Sequence, residues 1–297
     1  MSKIVVGTRG SKLALAQTQI VVKKLHEKGF ETQVEIIKTS GDIMKDKPLH
    51  EFQGVGAFVK VLDESLDDGD IDIAVHSLKD IPTKIKGSIA AVLERESPCD
   101  AFITRDGSGV DTIKDYAIVG TSSLRRSAQM KMYRPDFRIE NLRGNVDTRI
   151  RKLRDGQYDA ILLSEAGLMR MELDDQVIYR RLNPELFVPS ANQGIIGIES
   201  REGEEDLVSF LNHEQTSMEA LVEREVVREL GIGCAVPVGI FARLNKDKIE
   251  LLCEILAFDG SDSLRVEESL NLDTSIGEAR KVAKDIKERG GDFLALR

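Results

Sequence analysis

The 297-residue sequence is poor in aromatic side chains, which make up 5% with no Trp, and it has only seven Pro and three Cys. Scarce aromatics leave little to stack on nucleic-acid bases. The cysteines, Cys99, Cys234 and Cys253, are odd in number and widely spaced, which excludes a disulfide framework and the spacing of a zinc site. No run approaches the roughly 18 apolar residues that a membrane span needs, and "MSK" passes directly into the strand-like "IVVGT". A cytoplasmic location is the expectation. There is no GxxxxGK[ST] loop, so ordinary nucleotide binding has no support. Nor does His76 have a second histidine at metal-binding spacing, and within an apolar run it reads as a packed side chain.

Charge is what the chain does have, and it is unevenly spread. The net charge is −9, yet Arg125 to Arg154 holds ten Lys or Arg against three Asp or Glu, a local +7 that leaves −16 for the rest. Global acidity argues against broad nucleic-acid binding, because phosphate neutralisation normally leaves a basic domain. The patch is expected to serve a small anion.

At this length two or three domains are expected. "KIVVGT", a helix from about Ser11, "TQVEIIK", the helical "FVKVLDESLDD" and "IDIAVHS" alternate as βαβαβ, the pattern of a largely parallel α/β layer. The pattern recurs in "AIVGTSS", a helix from about Leu124, "FRIENL", "VDTRIRKLRDG" and "YDAILLS". Two echoes support a duplication: "VGTRGS" at Val6 with "VGTSSL" at Val119, and "GDIDIAVHS" at Gly69 with "GQYDAILLS" at Gly156. "RESPCDAF" reads as a crossover between lobes and "PSANQGIIGIE" as the return. After about Gln215, "TSMEALVEREVVREL" opens with a capping box, Thr216 and Glu219, and precedes three alternating strands and a closing helix.

In a duplicated α/β layer, ligands sit at the carboxyl ends of the strands. Thr8 to Ser11, Ser77 to Asp80 and Thr121 to Arg126 then fall around one cleft. Several guanidiniums on one face predict a polyanionic ligand, although a single arginine more often belongs to a solvated face. In "VHSLKDIP" a buried strand opens into Ser, Lys and Asp before Pro82; a carboxylate there can stabilise a cation or shuttle a proton, or simply face water in a turn. Cys234, in "GIGCAVP", can be an exposed nucleophile or a small buried hydrophobe, and Cys253 in "ELLCEIL" fits the latter.

Taken in series, "GTRGSKLALAQ", "IDIAVHSLKDIP", "VGTSSLRRSAQ", "NLRGNVDTRI", "YDAILLSEAGLMR" and "GIGCAVPVG" resemble the porphobilinogen deaminase family along essentially the whole chain. The resemblance implies an α/β fold of two periplasmic-binding-protein-like lobes (type II), 1–97 with 190–212 and 98–189, and a smaller α+β domain, 213–297, carrying the cofactor cysteine. It implies a transferase that joins four porphobilinogen molecules head to tail, releasing ammonia, to give hydroxymethylbilane. Its dipyrromethane cofactor would be held covalently by Cys234. Asp80 matches the family's catalytic carboxylate. Ser77, Lys79, Thr121, Ser123, Arg125 and Arg126 match cofactor-binding positions, and Arg9, Ser11, Arg143, Arg149 and Arg170 match substrate-binding ones. The resemblance implies a monomer with porphobilinogen as its small-molecule partner, and no nucleic acid, membrane or metal.

The chain departs from the family pattern at Glu51 and Val55, where loop lysines are usual, at Asn192 and Ile195, where residues are small, and at Glu165, where alanine is common. These places bear on loop closure and hinge packing. Since the thiol, the carboxylate and most arginines remain, they read as subgroup variation. The alternative is a non-catalytic two-lobed binding protein for a small polyanion.

Overall fold

The computed structural model describes residues 3–37, 57–232 and 236–290. The chain divides into two compact units, Met1–Glu96 with Ile195–Ser217 and Ser97–Gly194 with Met218–Arg297.

In the first unit, β1 (Lys3–Arg9), α1 (Lys12–Glu27), β2 (Glu31–Ile37), α2 (Ala57–Asp67), β3 (Ile73–Ser77), β4 (Ser88–Val92) and β10 (Ile196–Ser200) form one layered α/β body. The sheet runs β2-β1-β3-β10-β4, with β1 parallel to β2 and β3 and with β10 antiparallel to both neighbours. Helix α1 starts where it does because the Ser11 hydroxyl accepts the Ala14 N–H at 3.2 Å. It turns Val21, Val22 and Leu25 onto Ile4, Val6, Ile73 and Val75, while the other face of the sheet packs Ala74 against Leu62 and Leu66 of α2. Each such aliphatic side chain contributes about 1.5–3 kcal/mol on burial.

In the second unit, β5 (Asp100–Thr104), β6 (Ile118–Gly120), α3 (Leu124–Tyr133), β7 (Arg138–Glu140), α4 (Val146–Arg154), β8 (Ala160–Ser164), α5 (Glu165–Arg170) and β9 (Tyr179–Arg181) repeat that plan. The order β7-β6-β8-β5-β9, with β6 parallel to β7 and β8 and with β5 antiparallel to both neighbours, reproduces the first sheet strand for strand. The local chemistry repeats too. A Cβ on Gly7 would lie 2.2 Å from Ile71 Cδ1, and one on Gly120 would lie 2.8 Å from the Tyr158 ring, so both echoed glycines exist to let a neighbouring side chain cross the strand. The fold is thus α/β with two sheets of the same strand order and sense, the duplication that the echoes lead one to expect.

The sheets are mixed where a largely parallel layer is expected. The fourth strand of each comes from the crossover segments: "RESPCDAF" runs into β5 and "PSANQGIIGIE" into β10. Each of these two strands pairs antiparallel with both of its neighbours.

The second unit also holds a three-stranded antiparallel meander, β11 (Val238–Asn245), β12 (Lys248–Leu256) and β13 (Ser263–Asn271). Most of α6 (Glu214–Leu230) and all of α7 (Ser275–Arg289) belong to this unit, and Val222, Val226, Ala279, Ala283 and Ile286 pack on Ile240, Leu251 and Ile255. Cys253 lies in this core with its thiol pKa pushed up by burial, a small hydrophobe as expected. The capping box is corrected. Helix α6 begins at Glu214, the Thr216 hydroxyl accepts the Arg95 N–H at 3.0 Å, and the Glu219 carboxylate accepts the Leu244 N–H at 2.9 Å. The His213 ring nitrogen accepts the Thr216 N–H at 3.3 Å, so the local cap lies three residues earlier, and the Thr216 and Glu219 side chains serve tertiary partners instead.

Candidate functional site

In the first unit the register sets Gly7 of β1 opposite Ala74 of β3, so Arg9 and Ser77 both close their strands at the carboxyl edge of the sheet. Ser11 caps α1 there, and the Ser77 hydroxyl accepts from the Gln17 amide at 2.7 Å, tying the helix to the strand end. The chain then makes one 3-10 turn, Leu78–Asp80. Leu78 and Ile81 are buried on either side of it, and the Leu78 N–H donates to the Ile195 carbonyl at 3.0 Å. With both flanks anchored, Lys79 is left half-buried and Asp80 exposed.

The second unit builds the same edge from β6, β7 and β8. The Thr121 N–H donates to the Glu140 carbonyl at 2.9 Å, and the Thr121 hydroxyl accepts the Ser123 N–H at 3.2 Å. The Ser123 hydroxyl in turn accepts the Arg126 N–H at 3.4 Å and starts α3. Both arginines of the first turn point inward to Asp100, itself 1% exposed: Arg125 Nη2 lies 2.8 Å from Oδ2, and Arg126 Nη2 and Nε lie 2.7 and 3.0 Å from Oδ1. Burial alone would raise the Asp100 pKa, but the two guanidiniums outweigh it and hold the carboxyl well below its usual range. Gln193 adds a hydrogen bond to Oδ1 at 2.8 Å. Arg125 also donates to Ser190, Gln129 and the Val188 carbonyl, so its guanidinium is engaged inside its own unit and only 3% exposed.

The buried Glu254 carboxylate also acts on Arg125, and Gln129 bonds it at 3.0 Å; Arg149 adds a further cation beside Arg126. The Arg149 Nε donates to the Gly144 carbonyl at 2.7 Å, across the turn that Gly144 permits with φ 111°. Burial and the neighbouring positive charge of Arg126 lower its pKa to about 10. Among the described residues no carboxylate pairs with it. A cation depressed by a second cation is an anion site in electrostatic terms: each carboxylate that arrives relieves the repulsion. Arg143 follows β7 beside the same glycine turn, and Arg170 closes α5 with Nη2 donating to the Gly194 carbonyl at 2.8 Å.

The departures at Asn192, Ile195 and Glu165 have local explanations. Asn192 sits at φ 61°, a backbone state that asparagine tolerates better than most residues, and its amide is bonded to the Glu223 carboxylate and the Ala220 carbonyl. Ile195 is buried and offers its carbonyl to Leu78. Glu165, 1% exposed, accepts from the Tyr179 hydroxyl at 2.8 Å, from Arg181 Nε and from the Ser97 hydroxyl. Glu51, Val55 and Cys234 lie outside the described residues.

Sequence reasoning missed the buried polar partners of the two arginines. Asp100, Gln193 and Gln129 had no local pattern to mark them; the only signal is a charge opening the apolar run "DAFIT". It also missed a cluster behind Ser77. His76 Nε2 lies 3.3 Å from Glu199 Oε2, with both side chains buried, and burial together with the charge of Glu199 raises the pKa of Asp63 on α2. Among the described residues no group of three or more His, Cys, Asp or Glu is arranged to hold a metal ion, and no helix is long and apolar enough to cross a membrane.

Two family descriptions match the chain: "Porphobilinogen deaminase, dipyromethane cofactor binding domain" over residues 4–209 and "Porphobilinogen deaminase, C-terminal domain" over 217–289. A "Probable porphobilinogen deaminase" of Archaeoglobus fulgidus is 56% identical over 288 residues, covering 96% of this chain and 98% of that one. A second, from Methanococcoides burtonii, is 49% identical, covering 98% and 96%. A "Porphobilinogen deaminase" of an Exiguobacterium species is 39% identical, covering 98% and 97%. The family matches span both lobes and the meander region, and the relatives match almost end to end, so the chain belongs to the porphobilinogen deaminase family.

Proposed function

We propose that the chain joins four porphobilinogen molecules head to tail, losing ammonia at each step, and releases the linear tetrapyrrole hydroxymethylbilane by hydrolysis. The observation that carries this reading beyond family membership is the half-buried Arg149 guanidinium at the carboxyl edge of the second sheet, which faces the cation of Arg126 and, among the described residues, no carboxylate of its own. Each pyrrole of the growing chain bears an acetate and a propionate. A unit-charge pair at 4 Å is worth about 1 kcal/mol in water and about 4 kcal/mol at an effective dielectric of 20, so enclosed guanidiniums bind these arms and exposed ones hardly do.

The residues present suit the acidic arms of a dipyrromethane, because the donor set is cationic and hydroxylic with its one buried carboxylate already satisfied. When bound through the Cys234 sulfur, that group supplies the pyrrole carbon to which the first unit is joined. Ser77, Lys79, Thr121, Ser123, Arg125 and Arg126 would hold its carboxylates, Arg125 also bracing Asp100. Arg9, Ser11, Arg143, Arg149 and Arg170 receive those of porphobilinogen. Asp80 is exposed between two buried anchors, and there it would supply a fixed negative charge to the reacting pyrroles. Loss of ammonia leaves the incoming unit electron-poor, so this charge stabilises a species that exists only along the reaction path. The division 1–97 with 190–212, 98–189 and 213–297 is the corresponding domain reading.

Intact-mass analysis tests it. Protein from cells that make the primer is expected to exceed its sequence mass by one dipyrromethane, Cys234→Ser to lack that increment, and incubation with porphobilinogen to add successive pyrrole units. A chain with only its sequence mass that leaves porphobilinogen unconsumed would refute the reading and return the polyanion-binding alternative.

A further inference from the structure

The two lobes differ at one equivalent point, immediately after the serine that ends the third strand. In the first unit the residue after Ser77 is Leu78, 1% exposed, with its N–H on the Ile195 carbonyl. In the second unit the residue after Ser164 is Glu165, also 1% exposed, with its N–H on the Cys99 carbonyl at 3.0 Å. One lobe buries a leucine where the other buries a carboxylate. A buried carboxylate is costly unless its oxygens are filled, and here they are. The Ser97 hydroxyl donates to Oε2, the Tyr179 hydroxyl to Oε1 at 2.8 Å, and Arg181 Nε lies 2.9 and 2.8 Å from the two oxygens. Although burial opposes ionisation, the bonds from Ser97, Arg181 and Tyr179 keep the pKa below its ordinary value.

What the carboxylate joins gives it a purpose. Ser97 is the first residue of the second unit, and its hydroxyl also accepts the Cys99 N–H at 3.1 Å, one residue before Asp100 and its two guanidiniums. Tyr179 and Arg181 are the ends of β9. Glu165 itself opens α5, a helix of six residues with no side-chain cap at Ser164, too short to hold its direction unaided. At the far end of that helix Arg170 reaches the Gly194 carbonyl, the last residue of the returning segment in this unit. Helix α5 is therefore fixed at its start to the outgoing crossover and at its end to the returning one.

We infer that Glu165 is a positioning residue of the polymerisation: by clamping Ser97, β9 and the first turn of α5 together, it sets where the Arg170 guanidinium is presented to the acidic arms of the substrate. This rests on the proposed reading of Arg170 as a substrate contact. A residue with this role acts through Arg170 and through the Ser97–Asp100 segment, and both routes can be read separately.

The test is a double-mutant cycle on the full-length, cofactor-loaded protein with Glu165→Ala, Glu165→Gln, Arg170→Ala and Glu165→Ala/Arg170→Ala. Glu165→Ala is expected to raise the KM for porphobilinogen about tenfold with a smaller change in kcat, and the double variant to be no worse than Arg170→Ala alone. Glu165→Gln, which keeps an acceptor for Tyr179 and Ser97, is expected to recover much of the loss. The second readout is alkylation of Cys99, 5% exposed, mapped by peptide mass; Glu165→Ala is expected to speed it about tenfold as the segment loosens. A lowered thermal midpoint with unchanged KM, or additive effects in the cycle, overturns the inference while leaving the proposed function intact. If Arg170→Ala itself leaves KM unchanged in an active enzyme, the assignment of Arg170 fails and the inference falls with it. If no variant or parent consumes porphobilinogen, it is the proposed function that fails.

Discussion

Asp72 and Asp159 do the same work in the two lobes. The Asp72 carboxylate accepts the N–H of Val5 at 2.8 Å while its own N–H donates to the Val5 carbonyl; Asp159 accepts the N–H of Ile118 at 2.9 Å while its N–H donates to the Ile118 carbonyl. Each pair of bonds locks the entry of a third strand to its parallel neighbour, and so sets the height at which the motif residues leave the opposite edge. Each also takes an ion pair, Asp159 with Lys114 at 2.8 Å and Asp72 with Arg201 at 3.4 Å. Asp159→Ala is expected to lower stability by about 1–3 kcal/mol, since the Ile118 N–H loses its acceptor, whereas Asp159→Asn retains an oxygen and costs less. Urea midpoints of the two variants at neutral pH decide it.

Both aspartates stand inside the echoed segments "GDIDIAVHS" and "GQYDAILLS", which is why the duplication was legible. Strand ends were legible for a similar reason: Gly7, Gly120, Ser77 and Ser164 are small where strands turn into helices or into a side-chain crossing. The strand β5 was not, because "DAFIT" is five residues long, begins two residues after Pro98 and has no alternation when buried on both faces. Partners such as Asp100 with Gln193, or Glu165 with Ser97, are brought together only by the fold, and no periodicity encodes a pair that distant. Thr216 and Glu219 misled for the opposite reason: their spacing is that of a cap, but Arg95 and Leu244 claimed their side chains.

Asp100 carries both guanidiniums of α3, so its loss leaves two buried cations against one another. Asp100→Ala is expected to destabilise by about 3–5 kcal/mol and to abolish turnover. The pH dependence follows from the sign of its shift. The folded pKa is depressed, so its contribution is present above the unfolded value of about 3.9 and is lost as pH falls below it. Acid unfolding of the parent between about pH 4 and pH 2 should therefore steepen relative to Asp100→Asn, measured by denaturant midpoints across that range.

Asp63 has the reverse sign. It faces Glu199 of β10 and His76 of β3, with Asp67 and Glu64 on its own helix and Lys86 ahead of β4. Burial, then repulsion by Glu199, pushes its pKa up to about 6. A carboxyl raised on folding stabilises fully below the unfolded value of about 3.9, and that contribution disappears as pH rises through about 6. The stability of the parent minus that of Asp63→Asn should fall between pH 4.5 and pH 7.5, whereas ordinary carboxylates give the opposite trend. A carbon-detected titration of the Asp63 carboxyl is the direct check, and a midpoint near 4 would contradict it.

Arg149 is the cleanest test of the anion site, because its backbone bond to Gly144 leaves the rest of the guanidinium to whatever charge arrives. Arg149→Ala is expected to raise the KM for porphobilinogen by about tenfold to a hundredfold, on the scale of one partly enclosed ion pair. Arg149→Lys should recover little, since a point charge does not reproduce a two-pronged carboxylate contact. Steady-state kinetics at two ionic strengths measure this, and the parent's salt sensitivity should shrink in the alanine variant.

Asp80 separates chemistry from stability. Its neighbours Leu78 and Ile81 are buried and hold the turn, while its own carboxylate is exposed and no helix or strand depends on it. Asp80→Asn should therefore leave the urea midpoint within about 0.5 kcal/mol of the parent. Turnover should fall by about 10²–10³, the scale seen when one preorganised group facing developing charge is removed. The amide keeps the shape and loses the negative charge, so the ratio of the two effects identifies what the residue does. A variant that folds normally and forms hydroxymethylbilane at the parental rate would show that the charge at this turn plays no part in the reaction.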